Sequence, residues 1–506
     1  MWLFLALLGV GPVAADLPVH CLRHQMLGRW HFFLGPPQEE RSACGHQRPD
    51  RPEQQPPRSV ANASVWEVEL LSPNVAHSNG SRGRWTMIYD EAMEVQVNGL
   101  SFLAFSRFEL GEGGANVSLC GETQLGWYRD EPGSRWGCFY GLKIEDQPSP
   151  GPAGLARDSR RAGAGAPLDA SEHWVFVGAL NLLQDAWKAT VYDRFVGKTL
   201  QELNALAGIF RPFTRQKSRE ADPDFGAPSF LRRARRRSKA VKGRRPLPTQ
   251  WDWRNVSGRN FLDEVIDQGT CGSCYMVATT HMLAARYRIK HDPHFEGFSF
   301  NFPLFCSEYN QGCDGGYAFL AARWASDVGL VPKNCSVEDP QGLLQRCELR
   351  CAPQQLSHSW RAVNHHYVGG YYGAASEEEM KQELVEDGPL VVSFEPQSLG
   401  SARSDLMYYS GGIYSSVAHG QRAEWEPVDH AVLLVGYGSE DGRKYWLLQN
   451  SWGHDWGEDG FMRMARGIDE SGIESIAEAA DVEVTSSPRP SETTARAETA
   501  DRGLWV

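Results

Sequence analysis

No run of apolar residues in this 506-residue chain reaches the roughly twenty needed to cross a bilayer as a helix. The nearest candidate, MWLFLALLGVGPVAA at the start, is shorter and broken by Gly and Pro. Its small residues Val13 and Ala15 instead predict a signal peptide over residues 1–15, whose removal leaves Asp16 as the N-terminus. A surplus of basic residues is also lacking. The 51 Lys and Arg are outnumbered by 63 Asp and Glu, for a net charge of −12, which argues against a nucleic-acid-binding protein.

An even cysteine count is missing as well. In a secreted chain, eleven cysteines imply pairs plus one thiol left free. Cys21, Cys44, Cys120 and Cys138 form an early, even set, and seven more begin at Cys271. The gap predicts two separately crosslinked domains, with the free thiol in the second. Sequons at Asn62, Asn79, Asn116, Asn255 and Asn334 fit a glycosylated luminal protein.

From Asp16 to residue 144 the chain reads as short alternating strands, such as WEVELL (66–71), WTMIY (85–89) and MEVQVNGLSFLAFSRFEL (93–110). This pattern predicts a small antiparallel barrel or sandwich. Residues 145–246 read as linker and pro-segment. Pro, Gly, Ala and Arg dominate the first part. A helical region follows in which Phe176, Leu180, Leu183, Trp187 and Val191 recur at helical spacing. The basic run RRARRRSKAVKGRRP then carries a candidate processing site at 233–236. Residues 247–483 alternate helix-like and strand-like segments, as an α+β enzyme domain would. Residues 484–506 are polar and read as a disordered tail.

The chemistry concentrates in three segments, DQGTCGSCY (267–275), DHAVLLVGYG (429–438) and QNSWG (449–453). They supply a thiol, an imidazole and an amide. A cysteine thiol ordinarily ionises near pH 8.5, and a helix N-terminus and an imidazolium both stabilise the thiolate. Cys274, at the predicted start of a helix, is placed for both effects. His430 would pair with the thiolate and protonate the leaving amine. Asn450 would fix the imidazole, and Gln268 would offer an amide donor to a developing oxyanion. Any one of these residues alone is more often a disulfide partner or ordinary packing. The joint arrangement points to peptide hydrolysis.

These motifs resemble the papain family, in which His and Asn follow the active-site Cys by roughly 130–150 residues; here the spacing is slightly wider. Within the family the chain resembles its cathepsin C (dipeptidyl peptidase I) branch. Tyr275 follows the nucleophile where most relatives have Trp, and LPTQWDWRNV (247–256), HHYVGGYYG (365–373) and GIESIAEAA (472–480) also match. The resemblance implies a two-lobed α+β peptidase domain behind a β-barrel exclusion domain and a partly helical propeptide. It implies the disulfides Cys21–Cys120, Cys44–Cys138, Cys271–Cys313, Cys306–Cys347 and Cys335–Cys351, with Cys274 free. It also makes the Asp16 carboxylate the anchor for the substrate ammonium group. Tyr317, Ala318 and Ile476 would line the second substrate pocket, and Asp429 stands before the His where that branch has Asn.

The same resemblance implies a chloride near the second pocket, bound partly by a tyrosine hydroxyl. Tyr367 is present, but Phe319 stands where another tyrosine is expected, a loss of about 1–3 kcal/mol for a buried anion if nothing replaces it. No metal or organic cofactor is implied. The expected activity is release of dipeptides from free peptide N-termini by a zymogen. Activation would come from a processing peptidase, with a cut near residues 415–427 separating heavy and light chains. A homotetramer in a lysosome or similar acidic compartment, or a secreted form, completes the expectation. The competing readings are a papain-like endopeptidase and a secreted binding scaffold without activity. The scaffold fits poorly with Gln268, Cys274, His430 and Asn450 all being present.

Overall fold

A computed structural model describes residues 19–47, 59–110, 116–144, 167–199, 202–203, 246–336, 338–339, 342, 345–351, 358–395, 404–416 and 430–486. The signal peptide, Asp16, the 233–236 site, Asp429 and most of the 415–427 loop lie outside these residues.

After a short helix α1 (Arg23–Met26), nine strands make the first sheet: β1 (Gly28–Leu34), β2 (Ser64–Leu71), β3 (Val75–Ser78), β4 (Ser81–Ile88), β5 (Ala92–Val97), β6 (Leu100–Leu110), β7 (Asn116–Thr123), β8 (Gly126–Asp130) and β9 (Trp136–Lys143). Every pairing is antiparallel. Because β6 also pairs with β8, and β9 with β1, eight strands close into a barrel with β7 laid against β6 and β9. Alternation supplies the interior, as in β1, where Trp30, Phe32 and Leu34 are buried while the residues between them are not. The β5–β6 hairpin turns on Asn98 and Gly99, both at positive φ, as a two-residue turn with the twist of the strands requires. Closure removes the free edges that an open sheet would expose.

The pro-segment region departs from the sequence expectation. Helix α2 (Ala170–Leu183) is capped by Asp169, whose carboxylate accepts the Glu172 N–H, but it ends before Trp187. Its buried face is His173, Val177 and Leu180, and Leu183 is exposed. Trp187 instead lies in strand β10 (Trp187–Ala189), which pairs with Tyr409–Tyr414, and Val191 follows in irregular chain. The helical spacing failed there because an open sheet edge, distant in sequence, offered backbone partners to this segment.

In the peptidase region, strand β11 (Trp251–Asp252) and helices α3 (Cys274–Lys290), α4 (Asn301–Cys306) and α5 (Ala318–Asp327) precede strand β12 (His358–Tyr367). Helix α6 (Glu377–Glu386) and strands β13 (Leu390–Phe394), β14 (Tyr409–Tyr414), β15 (His430–Glu440), β16 (Arg443–Gln449), β17 (Phe461–Ala465) and β18 (Ala477–Ser486) follow. The second sheet runs β10-β14-β17-β16-β15-β13-β18-β12, with β11 on β15. Strand β18 continues to Ser486, paired with His358, so Val484, Thr485 and Ser486 are sheet rather than the start of a tail. Helix α3 is buried along most of its length and packs on β15, β13 and β18.

Two apolar clusters organise the molecule. One fills the peptidase region and takes in Val177, Leu180 and Trp187 from α2 and β10. The other fills the barrel and continues without a break into Phe319, Trp324, Tyr367, Tyr372 and Ile476. The barrel is therefore joined to the peptidase region by a core-like seam.

Candidate active site

Cys274 is the first residue of α3, and no acidic side chain occupies the helix's first turn. The aligned peptide dipoles thus place partial positive charge at the half-buried thiol. The turn before it is held rigidly. Cys271 is bonded to Cys313, and the Gly272 N–H donates to the Cys313 carbonyl at 2.8 Å. A Cβ at Gly272 would lie 2.7 Å from that oxygen, so only glycine allows the approach. The five disulfides are Cys21–Cys120, Cys44–Cys138, Cys271–Cys313, Cys306–Cys347 and Cys335–Cys351. Cys274 is the one cysteine outside a disulfide.

His430 opens β15, and Asn450 follows the neighbouring antiparallel strand β16. That pairing brings the His430 Nε2 to 2.8 Å from Asn450 Oδ1. Because Oδ1 also accepts the Ser451 N–H, it is an acceptor, and the neutral imidazole carries its proton on Nε2. Nδ1 is buried without a hydrogen bond and is left to receive a proton. Trp452 lies over the ring, centroids 4.8 Å apart at 28°, and Phe394 meets it edge-on. Burial pushes the imidazole down to about 4, only partly opposed by the Asn450 bond. An imidazolium there would need an adjacent negative charge, which a thiolate supplies.

Gln268 joins the loop before Cys274 to the segment after Asn450. Its Nε2 donates to the Cys271 carbonyl at 2.8 Å, and its Oε1 accepts the Ser451 hydroxyl at 2.5 Å. The Gln268 backbone N–H donates to the Ser451 carbonyl at 2.9 Å. The four residues named from the motifs thus sit where α3, β15 and the end of β16 converge.

Two family patterns match this chain: papain family cysteine protease over residues 247–480, and cathepsin C exclusion domain over residues 16–143. The chain is 29% identical over 488 residues to cathepsin C of Schistosoma mansoni, covering 91% of this chain and 94% of that one. It is 31% identical over 298 residues to the cathepsin B-like CP3 of Giardia intestinalis, covering 58% of this chain and 88% of that one. Dipeptidyl aminopeptidase 1 of Plasmodium falciparum matches at 29% over 314 residues, 45% of this chain and 43% of that one. The chain belongs to the papain family of cysteine proteases.

In this papain-family chain the barrel docks against α5. Tyr89, in the β4–β5 turn, has φ 50°, an uncommon setting for a bulky residue. Its ring stacks on Tyr317 with centroids 3.8 Å apart. The Tyr89 hydroxyl reaches Ser393 Oγ at 3.2 Å and Glu478 Oε1 at 3.1 Å. Tyr317, the N-cap of α5, donates its hydroxyl to Glu91 Oε1 at 2.6 Å. Ile476 is buried at the same seam, Ala318 is buried in the adjoining peptidase core, and Phe319 stacks on Tyr367 with centroids 4.5 Å apart.

Deeper in the seam, Arg323 bonds Glu94 of the barrel and donates to Asp327 Oδ2 at 2.8 Å. The Arg129 guanidinium of the barrel reaches the other oxygen of Asp327 at 2.9 Å. His365 lies 2.9 Å from Glu94. His365 and Arg323 hold the Glu94 carboxyl well below the usual range, despite its burial.

The side chains of Asn62, Asn79, Asn255 and Asn334 are exposed, and the Asn116 side chain lies outside the described residues. Tyr89, Glu91 and Glu478 were not singled out from sequence. Glu478 left one signal, a carboxylate at an inward position of the otherwise apolar IAEAA segment.

Proposed function

We propose that this protein is a cysteine dipeptidyl aminopeptidase, releasing two-residue units from free peptide N-termini. The observation that carries the reading is the Tyr89–Tyr317 stack. A barrel fused to the peptidase through a continuous apolar seam stands where an endopeptidase leaves its cleft open, so substrate can extend only a short way past the scissile bond.

In this reading His430 Nδ1 takes the Cys274 proton and the thiolate attacks the carbonyl carbon. The oxyanion is met by the Cys274 backbone N–H and the Gln268 amide. His430 then protonates the leaving amine, forming the acyl-enzyme. Water, deprotonated by His430, attacks that thioester and restores the thiol. Asn450 is a positioning residue that keeps the imidazole in one tautomer. Asp16 anchors the substrate ammonium and so measures two residues from Cys274, while Tyr317, Ala318 and Ile476 line the second pocket and Asp429 flanks the histidine. Processing at the basic run, assembly as a homotetramer and residence in a lysosome or similar acidic compartment complete the proposal.

The test uses processed protein and a fluorogenic dipeptide with a free amine, beside its N-acetylated twin, with Cys274→Ala as control. Turnover of the free form alone supports the proposal. Equal turnover of both identifies an endopeptidase, and turnover of neither an inactive scaffold.

A further inference from the structure

At the start of α5, beneath the residues expected to line the second pocket, lies a small gap without room for a water molecule, whose lining includes Ala318, Phe319, Ala322, His365, Val391 and Glu478. Glu478 is almost wholly buried. Its Oε1 receives the Tyr89 hydroxyl at 3.1 Å, the Phe319 backbone N–H faces the carboxyl, and Oε2 is buried without a full hydrogen bond. Among the described residues no basic side chain balances it. His365, which shares the cavity, is directed to Glu94, and His366 lies 3.8 Å from Glu383.

A buried halide is stabilised only by N–H and O–H donors that replace its water. At this place the Tyr89 hydroxyl already bonds Glu478, and the Phe319 backbone N–H faces the same carboxyl. The Tyr367 hydroxyl makes no full hydrogen bond, and one donor is a poor substitute for a hydration shell. The residues present therefore do not fit the chloride that the family resemblance implies.

We propose that the Glu478 carboxyl takes the place of a bound anion beneath the second pocket, so that this enzyme builds its substrate site without chloride. The inference rests on the dipeptidyl-peptidase reading for its kinetics, because the pocket is that enzyme's second subsite. Glu478 acts as a positioning residue. It ties the Tyr89 turn of the barrel to the N-terminus of α5, whose first residues form the pocket wall.

Burial pushes the Glu478 carboxyl up to about 8, so at acidic pH the group is a neutral acid. It keeps its acceptor oxygens without placing a bare charge under the pocket. That state also accounts for the absence of a neighbouring cation: a neutral carboxyl needs none.

The decisive experiment is a chloride titration of full-length, processed protein dialysed into chloride-free buffer, at constant ionic strength with gluconate as the balancing anion. Wild-type KM and kcat for the free-amine dipeptide are expected to stay within about twofold. In Glu478→Val the two donors are released. KM should rise about tenfold without chloride and recover as chloride is added, a rescue that a merely structural defect would not produce. A wild-type KM that falls with added chloride overturns the proposal, as does a Glu478→Val enzyme with normal KM in chloride-free buffer.

Bromide gives a readout free of activity and of the variant's folding. Anomalous scattering from bromide-soaked wild-type crystals should show no peak at the Phe319 N–H, and a peak there refutes the proposal. Absence of turnover at every chloride level would count against the dipeptidyl reading, while the bromide result would still decide the role of Glu478.

Discussion

The Tyr89 ring of the barrel lies on the Tyr317 ring of the peptidase region, with centroids 3.8 Å apart and planes 25° from parallel. One contact thereby joins the element proposed to close the cleft to the residue expected to line its second pocket. Stacked aromatic pairs contribute about 0.5–1.5 kcal/mol beyond area burial. Replacing Tyr89 by Ala is expected to raise the KM for dipeptide substrates several-fold and to permit detectable cleavage of N-acetylated substrates. Steady-state kinetics on both classes measure this. An unchanged KM with no new cleavage would mean that the turn does not shape the subsite.

Asn450→Ala removes the acceptor that fixes the His430 tautomer at 2.8 Å. A hydrogen bond to a charged partner contributes about 1.5–3 kcal/mol, so kcat should fall roughly 10–150-fold with little change in KM. A comparable loss confined to KM would assign Asn450 to substrate binding instead.

The buried network around Arg323 makes a prediction about stability. Arg323→Ala leaves Glu94 and Asp327 without their shared cation, and removing one member of such a set costs about 3–5 kcal/mol. Arg129 still reaches Asp327 at 2.9 Å, which places the cost toward the lower end. Thermal unfolding should show a clear drop in Tm, and a wild-type Tm would indicate that solvent reaches the seam.

Stability should also depend on pH in a defined direction. Glu478 ionises near 4.5 when unfolded and near 8 in the fold, chiefly because of burial. The folded protein therefore holds the extra proton between these values. This contribution is complete below about pH 4.5 and is lost as pH rises through about 8. Asp263, against the effect of its burial, is shifted from 3.8 down to about 2 by neighbouring His281 and its partners Arg288 and Lys333. Its contribution is present above 3.8 and is lost as pH falls through about 2. Together the two groups favour the mildly acidic range. Glu478→Gln, neutral at every pH, should keep the wild-type Tm near pH 5 and lose less of it by pH 8.5. Parallel Tm–pH curves for the two proteins would rule out this role for Glu478.

The candidate catalytic constellation was legible because each member sits in a short local motif. The thiol beside Gly272 and Cys271, the histidine opening an apolar strand and the asparagine before Ser451 and Trp452 could all be recognised by their neighbours. The barrel was legible through period-two alternation and the Asn98–Gly99 turn. Trp187 was misread because its pairing with Gly412 is long-range and nothing near it in sequence announces a strand. The Tyr89 turn escaped notice for the same reason, since its partners Tyr317, Ser393 and Glu478 come from three separate parts of the chain. Glu478 could have been found by asking why an inward position between Ala477 and Ala479 carries a carboxylate.

The most direct test of the central claim is a mass-spectrometric time course of the processed enzyme acting on an unblocked decapeptide without proline. The account predicts intermediates shortened from the N-terminus by two residues at a time, with no internal cuts and no product from the Cys274→Ala control. Fragments arising from internal bonds, or losses of odd numbers of residues, would contradict it.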